Sequence, residues 1–190
     1  MRIKDVKIMG TVGVILNLLG FLPRVGFLIR LVGIITIIIA INGLSKAMND
    51  EGIFNKYLIG FIISIVGSTG VVILAFILGA GAFLTSIFSL SPYNFLQNIT
   101  STIIFIILLF YAVLIASAYF YRGSFKLAAG STKVKQFSTA GDLIFYGSIL
   151  IILVVGAFLI FAGWIFLAAA FLSLPDELES HPFDSSSSSM

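Results

Sequence analysis

Three polar side chains stand in or beside apolar segments, and any chemistry in this sequence falls to them. Arg30 is the one basic residue well inside an apolar run, while Asn17 lies six residues before Pro23 and Arg30 seven after it. A hairpin that turns at Pro23 would bring Asn17 and Arg30 to similar depth, so we predict a hydrogen bond between them. Contact of Arg30 with a lipid headgroup is the second interpretation, and a transport role is the third.

The third polar side chain, Asp142, follows Gly141 at the start of the last apolar run. A carboxylate at this position is expected to cap the start of a helix, where free amide hydrogens and the helix dipole favour negative charge. Pairing with Lys133 or Lys135 is also compatible with the spacing. A proton or cation site is the functional alternative, although no other acidic residue lies inside a predicted span, which argues against a proton pump.

Residue sets typical of enzyme active sites are missing from the sequence. There is no phosphate-binding loop, no His-Glu pair, no serine nucleophile elbow and no pair of carboxylates expected to share a cleft. The chain has no Cys, and its single histidine, His181, lies in a Ser-rich C-terminal segment. We therefore expect no enzymatic activity, no cofactor and no metal site.

The composition predicts an all-α integral membrane protein. Hydrophobic residues make up 59% of the chain and charged residues only 10%, whereas soluble domains carry about 25% charged residues. Long apolar runs without strand-like alternation favour helices over a barrel. The net charge of +3 does not indicate nucleic-acid binding, because the basic residues lie in short loops. We expect a multi-pass protein of the cell (plasma) membrane.

The apolar runs predict a bundle of about five transmembrane helices, with six as the alternative. The clearest span, residues 99–121, has no charge, Gly or Pro and ends in Tyr119-Phe120-Tyr121-Arg122, an aromatic belt followed by a cation. The other expected spans are 6–22, 25–45, 54–84 and 143–174, with an interfacial loop at 85–100 and a polar loop at 122–136. Residues 1–176 would form one helical-bundle domain, and residues 177–190 an acidic, Ser-rich disordered tail.

Charge favours five spans with the N-terminus inside and the C-terminus outside. Nine of the eleven basic residues then share one side, as expected for the cytoplasmic side of a membrane protein: Arg2, Lys4, Lys7, Lys46, Lys56, Arg122, Lys126, Lys133 and Lys135. A sixth span would need a turn near residues 153–158. That segment has no polar residue, and a turn exposed to lipid would leave backbone groups unpaired.

Glycines recur at a spacing of seven residues in four predicted spans. Seven residues is about two helical turns, so each pair marks one narrow stripe, and glycine lets helices approach closely in lipid. We predict glycine-lined seams in a left-handed bundle, including contacts between subunits; the alternative is that apolar helices of this kind are simply Gly-rich. The residues are Gly13 and Gly20, Gly26 and Gly33, Gly60 and Gly67, and Gly156 and Gly163.

The inner ends of two predicted spans are alike, because Gly43 and Lys46 have the same spacing as Gly123 and Lys126. This likeness suggests two parallel helical hairpins after one extra helix, a repeat known from transporters. Convergent loop chemistry is the alternative explanation.

These features predict a non-enzymatic structural, accessory or assembly protein that packs through its glycine-lined faces. Its expected partners are the lipid bilayer and either a second copy of the chain or other membrane subunits. The alternative is a small transporter or channel built on two helical hairpins. A transporter needs a polar cavity at mid-membrane, lined by residues such as Ser64, Ser68, Thr69, Ser117 and Ser148.

Four stretches together resemble an archaeal membrane family catalogued as a domain of unknown function. They are the Gly-rich hairpin of residues 13–33, the loop and helix start at 52–60, Phe137 before Ala140-Gly141, and the closing Ala-Phe-Leu-Ser-Leu-Pro of residues 170–175. The resemblance covers most of residues 5–176. It implies an archaeal integral membrane protein and assigns no activity and no site.

Overall fold

The computed structural model describes residues 2–20, 22, 24–89 and 92–176, and only the backbone of residues 86–89 and 92–96. These residues form six α-helices, a short 3-10 turn and no strand. The expected turn residue Pro23 and the expected disordered tail, 177–190, lie outside the described residues. The helices are α1 (Ile3–Leu19), α2 (Gly26–Ala47), α3 (Glu51–Ser89), α4 (Pro92–Thr132), α5 (Lys135–Ile149) and α6 (Val155–Leu172), with the 3-10 turn at Ile151–Leu153.

Four of the described helices, α2, α3, α4 and α6, are long and apolar enough to cross a membrane. Helices α1 and α5 have 17 and 15 residues, fewer than the roughly 20 that a full crossing needs. The predicted all-α membrane bundle is confirmed. The chain is a helical membrane protein, and its helices are far less equal in length than their apolar runs suggested.

The six helices pair as three consecutive antiparallel hairpins, α1–α2, α3–α4 and α5–α6. Helices α1, α3 and α5 begin, and α2, α4 and α6 end, at one end of the bundle, which we call the basic end because the nine clustered Lys and Arg residues belong to it. The opposite end is the outer end. The expected repeat of two hairpins after one extra helix is wrong, because α2 pairs with α1 and not with α3.

The last apolar run is two helices and not the single span expected over residues 143–174. Helix α5 stops at Ile149 and α6 begins at Val155 and runs back along it. The Phe137 and Phe171 rings meet edge to face, 5.2 Å apart. The C-terminus therefore lies at the same end as the N-terminus, where Lys7 Nζ contacts Asp176 Oδ1 at 3.0 Å, and the prediction of opposite ends is wrong.

The turn between α5 and α6 pairs its own backbone amides, although it contains no polar side chain. The amides of Leu153, Val154 and Gly156 donate to carbonyls of residues 150 and 151 over 2.9–3.2 Å. Tyr111 Oη donates to the carbonyl of Ile149 at 2.6 Å. The expectation that an apolar turn cannot form here is wrong, because 3-10 hydrogen bonds and one tyrosine pair several of its backbone groups.

Helices α3 and α4 have 39 and 41 residues, so their hairpin is about 60 Å long and roughly twice the length of the other two. The predicted interfacial loop at 85–100 is wrong, because α3 continues to Ser89 and α4 begins at Pro92. The predicted polar loop at 122–136 is also largely helical, since α4 runs to Thr132 and α5 begins at Lys135.

The core lies in the half of the bundle nearer the basic end, where all three hairpins meet. Large side chains from every helix are fully buried there, and no charged side chain is buried among the described residues. Ser124 of α4 donates its hydroxyl to the carbonyl of Ile53 of α3 at 2.6 Å. The fully buried apolar residues include Val6, Val14, Ile37, Ile41, Leu44, Ile53, Phe125, Phe137, Leu167, Phe171 and Leu174.

Candidate functional site

The densest group of charges in the described bundle joins α4 to α5. Arg122 Nε donates to Asp142 Oδ1 at 2.5 Å, and Lys126 Nζ lies 3.4 Å from the same oxygen. Arg122 also reaches the hydroxyl of Tyr146 at 3.3 Å and stacks over the ring of Phe145, 4.8 Å from its centroid. One carboxylate thus holds two cations on the neighbouring helix.

The cap predicted for Asp142 is wrong. Helix α5 begins at Lys135, after Val134, so Asp142 lies two turns inside it. Its partners are Arg122 and Lys126 and not Lys133 or Lys135. The sequence predicts a loop at residues 122–136, and only the continuation of α4 to Thr132 brings Arg122 and Lys126 to Asp142.

Asn17 and Arg30 come close along the α1–α2 hairpin, but no hydrogen bond joins them, so that prediction is wrong. Asn17 is buried opposite Gly33, whereas Cβ and Cγ of Arg30 lie against Gly20. Arg30 is exposed and lines a groove of about 720 Å³ near the outer end. The groove's other lining residues are apolar, and they are Leu18, Ile151, Ala157, Phe158, Ile160, Phe161 and Trp164.

The eight glycines predicted to line helix seams all face another segment of the same chain. A Cβ at Gly33 would lie 2.6 Å from the Asn17 amide nitrogen, and one at Gly13 would lie 2.9 Å from the Ile37 nitrogen. A methyl group at Gly20, Gly26, Gly60, Gly67, Gly156 or Gly163 would meet atoms at 3.0 Å or closer. The role of these glycines in association between subunits stays a prediction.

Three other glycines of α3 face open space. Nothing lies within 4 Å of a Cβ built at Gly70, Gly79 or Gly81. They belong to what we call the outer arm, residues 70–89 and 92–110, the part of the α3–α4 hairpin beyond the Tyr111 contact with α5. Val71 is the one buried side chain among those described in this arm. These glycines do not follow the seven-residue spacing, so that pattern does not predict them.

A second groove, of about 400 Å³, lies between α3 and α4 at the basic end. Four of its α4 residues have the i, i+3, i+4, i+7 spacing that places side chains on one helix face, and this spacing is the sequence signal for the groove. Its lining residues are Lys56, Tyr119, Phe120, Arg122, Gly123 and Lys126.

No group of three or more His, Cys, Asp or Glu side chains that could hold a metal ion occurs within the described residues. Asp50 has a structural role, because it precedes α3 and its Oδ1 accepts the amide of Gly52 at 3.0 Å. This contact is the N-cap interaction typical of aspartate.

Comparison with known proteins gives two matches. Residues 29–165 match a family model described as "Protein of unknown function (DUF996)". Over 180 residues the chain is 33% identical to the uncharacterized protein MJ1644 of Methanocaldococcus jannaschii, and the alignment covers 95% of this chain and 97% of that protein. No solved structure matches.

Proposed function

The chain belongs to the DUF996 family of unknown function. From its fold we propose that it is a non-enzymatic structural or assembly protein of the cell membrane. In this proposal it associates with a second copy of itself through the outer arm. The observation that supports the proposal most is the length of the α3–α4 hairpin compared with its neighbours.

The outer arm extends about 30 Å beyond the last hydrogen bond to α5, because it adds about 20 residues to each helix. Along α3 one face of this arm contains Gly70, Ile73, Ile77, Gly81 and Leu84, which follow one another at steps of three and four residues. Ile73, Ile77 and Leu84 are each more than half exposed. Small residues between large apolar ones are typical of interfaces between transmembrane helices.

We take the partner of the outer arm to be a second copy of the chain, because no other described segment covers this surface. The last described residue, Asp176, lies at the basic end, and the sequence that follows it, 177–190, is mostly polar. A symmetric pair would bring the same face of α3 from two chains together, as in most homodimers. Gly70 and Gly81 would then let the two backbones approach closely.

The test is the mass of the full-length protein in mild detergent, measured by light scattering after size exclusion. We expect the wild type to be dimeric and the Gly70→Leu/Gly81→Leu variant to be monomeric. Gly130→Leu is the matched control, because Gly130 is also exposed with nothing within 4 Å of its Cβ position but lies near the basic end of α4. A monomeric wild type, or an equal effect of Gly130→Leu, would contradict the proposal.

Crosslinking in native membranes tests the identity of the partner. The chain has no cysteine, so Ile77→Cys introduces a single thiol on the proposed face. A crosslinked product of twice the chain mass supports self-association. A crosslinked product that contains a different protein would contradict self-association and would identify another membrane subunit as the partner.

For the alternative function, a transporter or channel, three of the five polar residues expected to line the cavity are paired within their own helices. The hydroxyls of Ser68, Ser117 and Ser148 donate to carbonyls of their own helices at 2.8–3.1 Å. These three hydroxyls are therefore paired within their own helices, and Ser117 and Ser148 are buried.

A further inference from the structure

The groove between α3 and α4 combines positive charge with apolar surface at the level where the membrane-spanning part of α4 ends. Tyr119, Arg122, Gly123 and Lys126 lie on one face of α4 because they are spaced three, four and seven residues apart. Lys56 faces them from α3. The groove is an open cleft of about 400 Å³ and not a closed cavity.

Positive charge exceeds negative charge in this groove. Three cations, Lys56, Arg122 and Lys126, line it, whereas Asp142 is the one carboxylate that contacts any of them within the described residues. Among the described residues, no carboxylate oxygen lies within 4.0 Å of Lys56 Nζ. An anion in the groove would thus meet at least one cation that has no competing ion pair.

Gly123 allows Lys56 to reach across to α4. A Cβ at Gly123 would lie 3.1 Å from Lys56 Cδ and 3.7 Å from its Nζ. The aliphatic stem of Lys56 therefore lies against the bare backbone of α4, and its ammonium group stays on the same side as Arg122 and Lys126. A side chain at position 123 would push the Lys56 stem away.

Apolar side chains continue outward from these cations. Ile59 lies one turn beyond Lys56 and Ile62 two turns beyond it, and both are exposed. Tyr119 and Phe120 stand on α4 at the edge of the apolar segment, where aromatic residues are enriched in membrane proteins. The surface therefore offers cations where the apolar run of α4 ends and an exposed apolar path along α3 beyond them.

We propose that this groove binds the phosphate group of an anionic membrane lipid, with its acyl chains along α3. Basic pockets between transmembrane helices are suited to such headgroups, because each Lys or Arg near the surface attracts anionic lipid. The site is independent of the proposed self-association, since it lies at the basic end and the outer arm lies at the other.

The experiment is native mass spectrometry of the full-length protein in detergent, titrated with phosphatidylglycerol and, separately, with phosphatidylcholine. We expect wild type to bind the anionic lipid preferentially and Lys56→Gln/Lys126→Gln to bind it about thirtyfold more weakly, from the loss of two cations. The matched control is Lys133→Gln/Lys135→Gln, which removes the same charge from exposed positions at the same end. Its affinity should change no more than a few-fold.

A second variant and a competition complete the test. Gly123→Ala keeps every charge but crowds the Lys56 stem, and we expect it also to weaken binding of phosphatidylglycerol. Equal losses in the groove and control variants, or equal binding of the zwitterionic lipid, would overturn the proposal. Displacement of the lipid by inorganic phosphate would assign the groove to a free anion and would overturn the lipid assignment.

Discussion

Alanine substitutions at Gly33, Gly67 and Gly70 should change the free energy of unfolding by amounts that depend on which atoms lie opposite each glycine. At Gly33 the added methyl would meet backbone, with the Asn17 amide nitrogen at 2.6 Å and the Gly13 carbonyl oxygen at 2.8 Å. At Gly67 it would meet the Val113 methyl groups at 2.7 and 2.9 Å, and at Gly70 it would meet nothing within 4 Å. Only the Gly33 substitution forces two helices apart.

The magnitudes follow from these contacts. Ordinary contact begins at 3.4 Å, so Gly33→Ala requires α1 and α2 to separate by about 0.8 Å, and such overpacking costs about 1–3 kcal/mol. Replacing glycine by alanine inside a helix contributes about 1 kcal/mol of stability at all three sites. We therefore expect Gly33→Ala to lower the free energy of unfolding by about 1 kcal/mol, Gly67→Ala to leave it nearly unchanged, and Gly70→Ala to raise it by about 0.5–1 kcal/mol.

The assay is thermal unfolding of the monomer, at a detergent and protein concentration that dissociates any dimer, followed by the fluorescence of Trp164, the only tryptophan. A difference of about 2 kcal/mol between Gly33→Ala and Gly70→Ala corresponds to roughly 4–8 °C in Tm for a chain of this size. Equal Tm values for these two variants, or a lower Tm for Gly70→Ala than for Gly33→Ala, would refute the packing role assigned to Gly33.

Three further predictions concern contacts between hairpins. In a double-mutant cycle with Arg122→Ala and Asp142→Asn, we expect a coupling energy of about 1 kcal/mol, because both side chains are partly exposed; zero coupling would contradict the pairing. Lys7→Cys with Asp176→Cys should give an intramolecular crosslink, and its absence would argue against both termini lying at one end. Tyr111→Phe should lower the free energy of unfolding by about 1–2 kcal/mol, since the carbonyl that ends α5 loses its donor, and an unchanged Tm would contradict this.

The resemblance to an archaeal family of unknown function, drawn from the Gly13–Gly33 hairpin and three other stretches, is confirmed by the family match and by the Methanocaldococcus jannaschii relative. The all-helical membrane architecture is confirmed as well. Both depend on composition and on short local patterns, which a single sequence contains. The second predicted span, 25–45, agrees with α2 to within two residues, because a basic segment marks its inner end.

The site residues were harder to predict. The sequence singles out Asp142 as a polar side chain beside an apolar run, but its partners Arg122 and Lys126 lie 20 and 16 residues away along the chain. Arg30 stands out for the same reason, and its predicted partner Asn17 is wrong because the hairpin register places Gly33 opposite Asn17 and Gly20 beside Arg30. A register shift of three residues is invisible in sequence spacing alone.

The sequence by itself determined that the chain is helical, that lipid surrounds it, and that its basic residues gather at one end. These properties follow from transfer of apolar side chains into lipid and from charge, which act on each residue separately. Only the tertiary structure decided that residues 143–174 fold back at an apolar turn, because that turn depends on hydrogen bonds to residues 150 and 151 and on a distant tyrosine. It also decided that Lys56, Arg122 and Lys126 share one groove, since two helices must pack before three separate cations can act together.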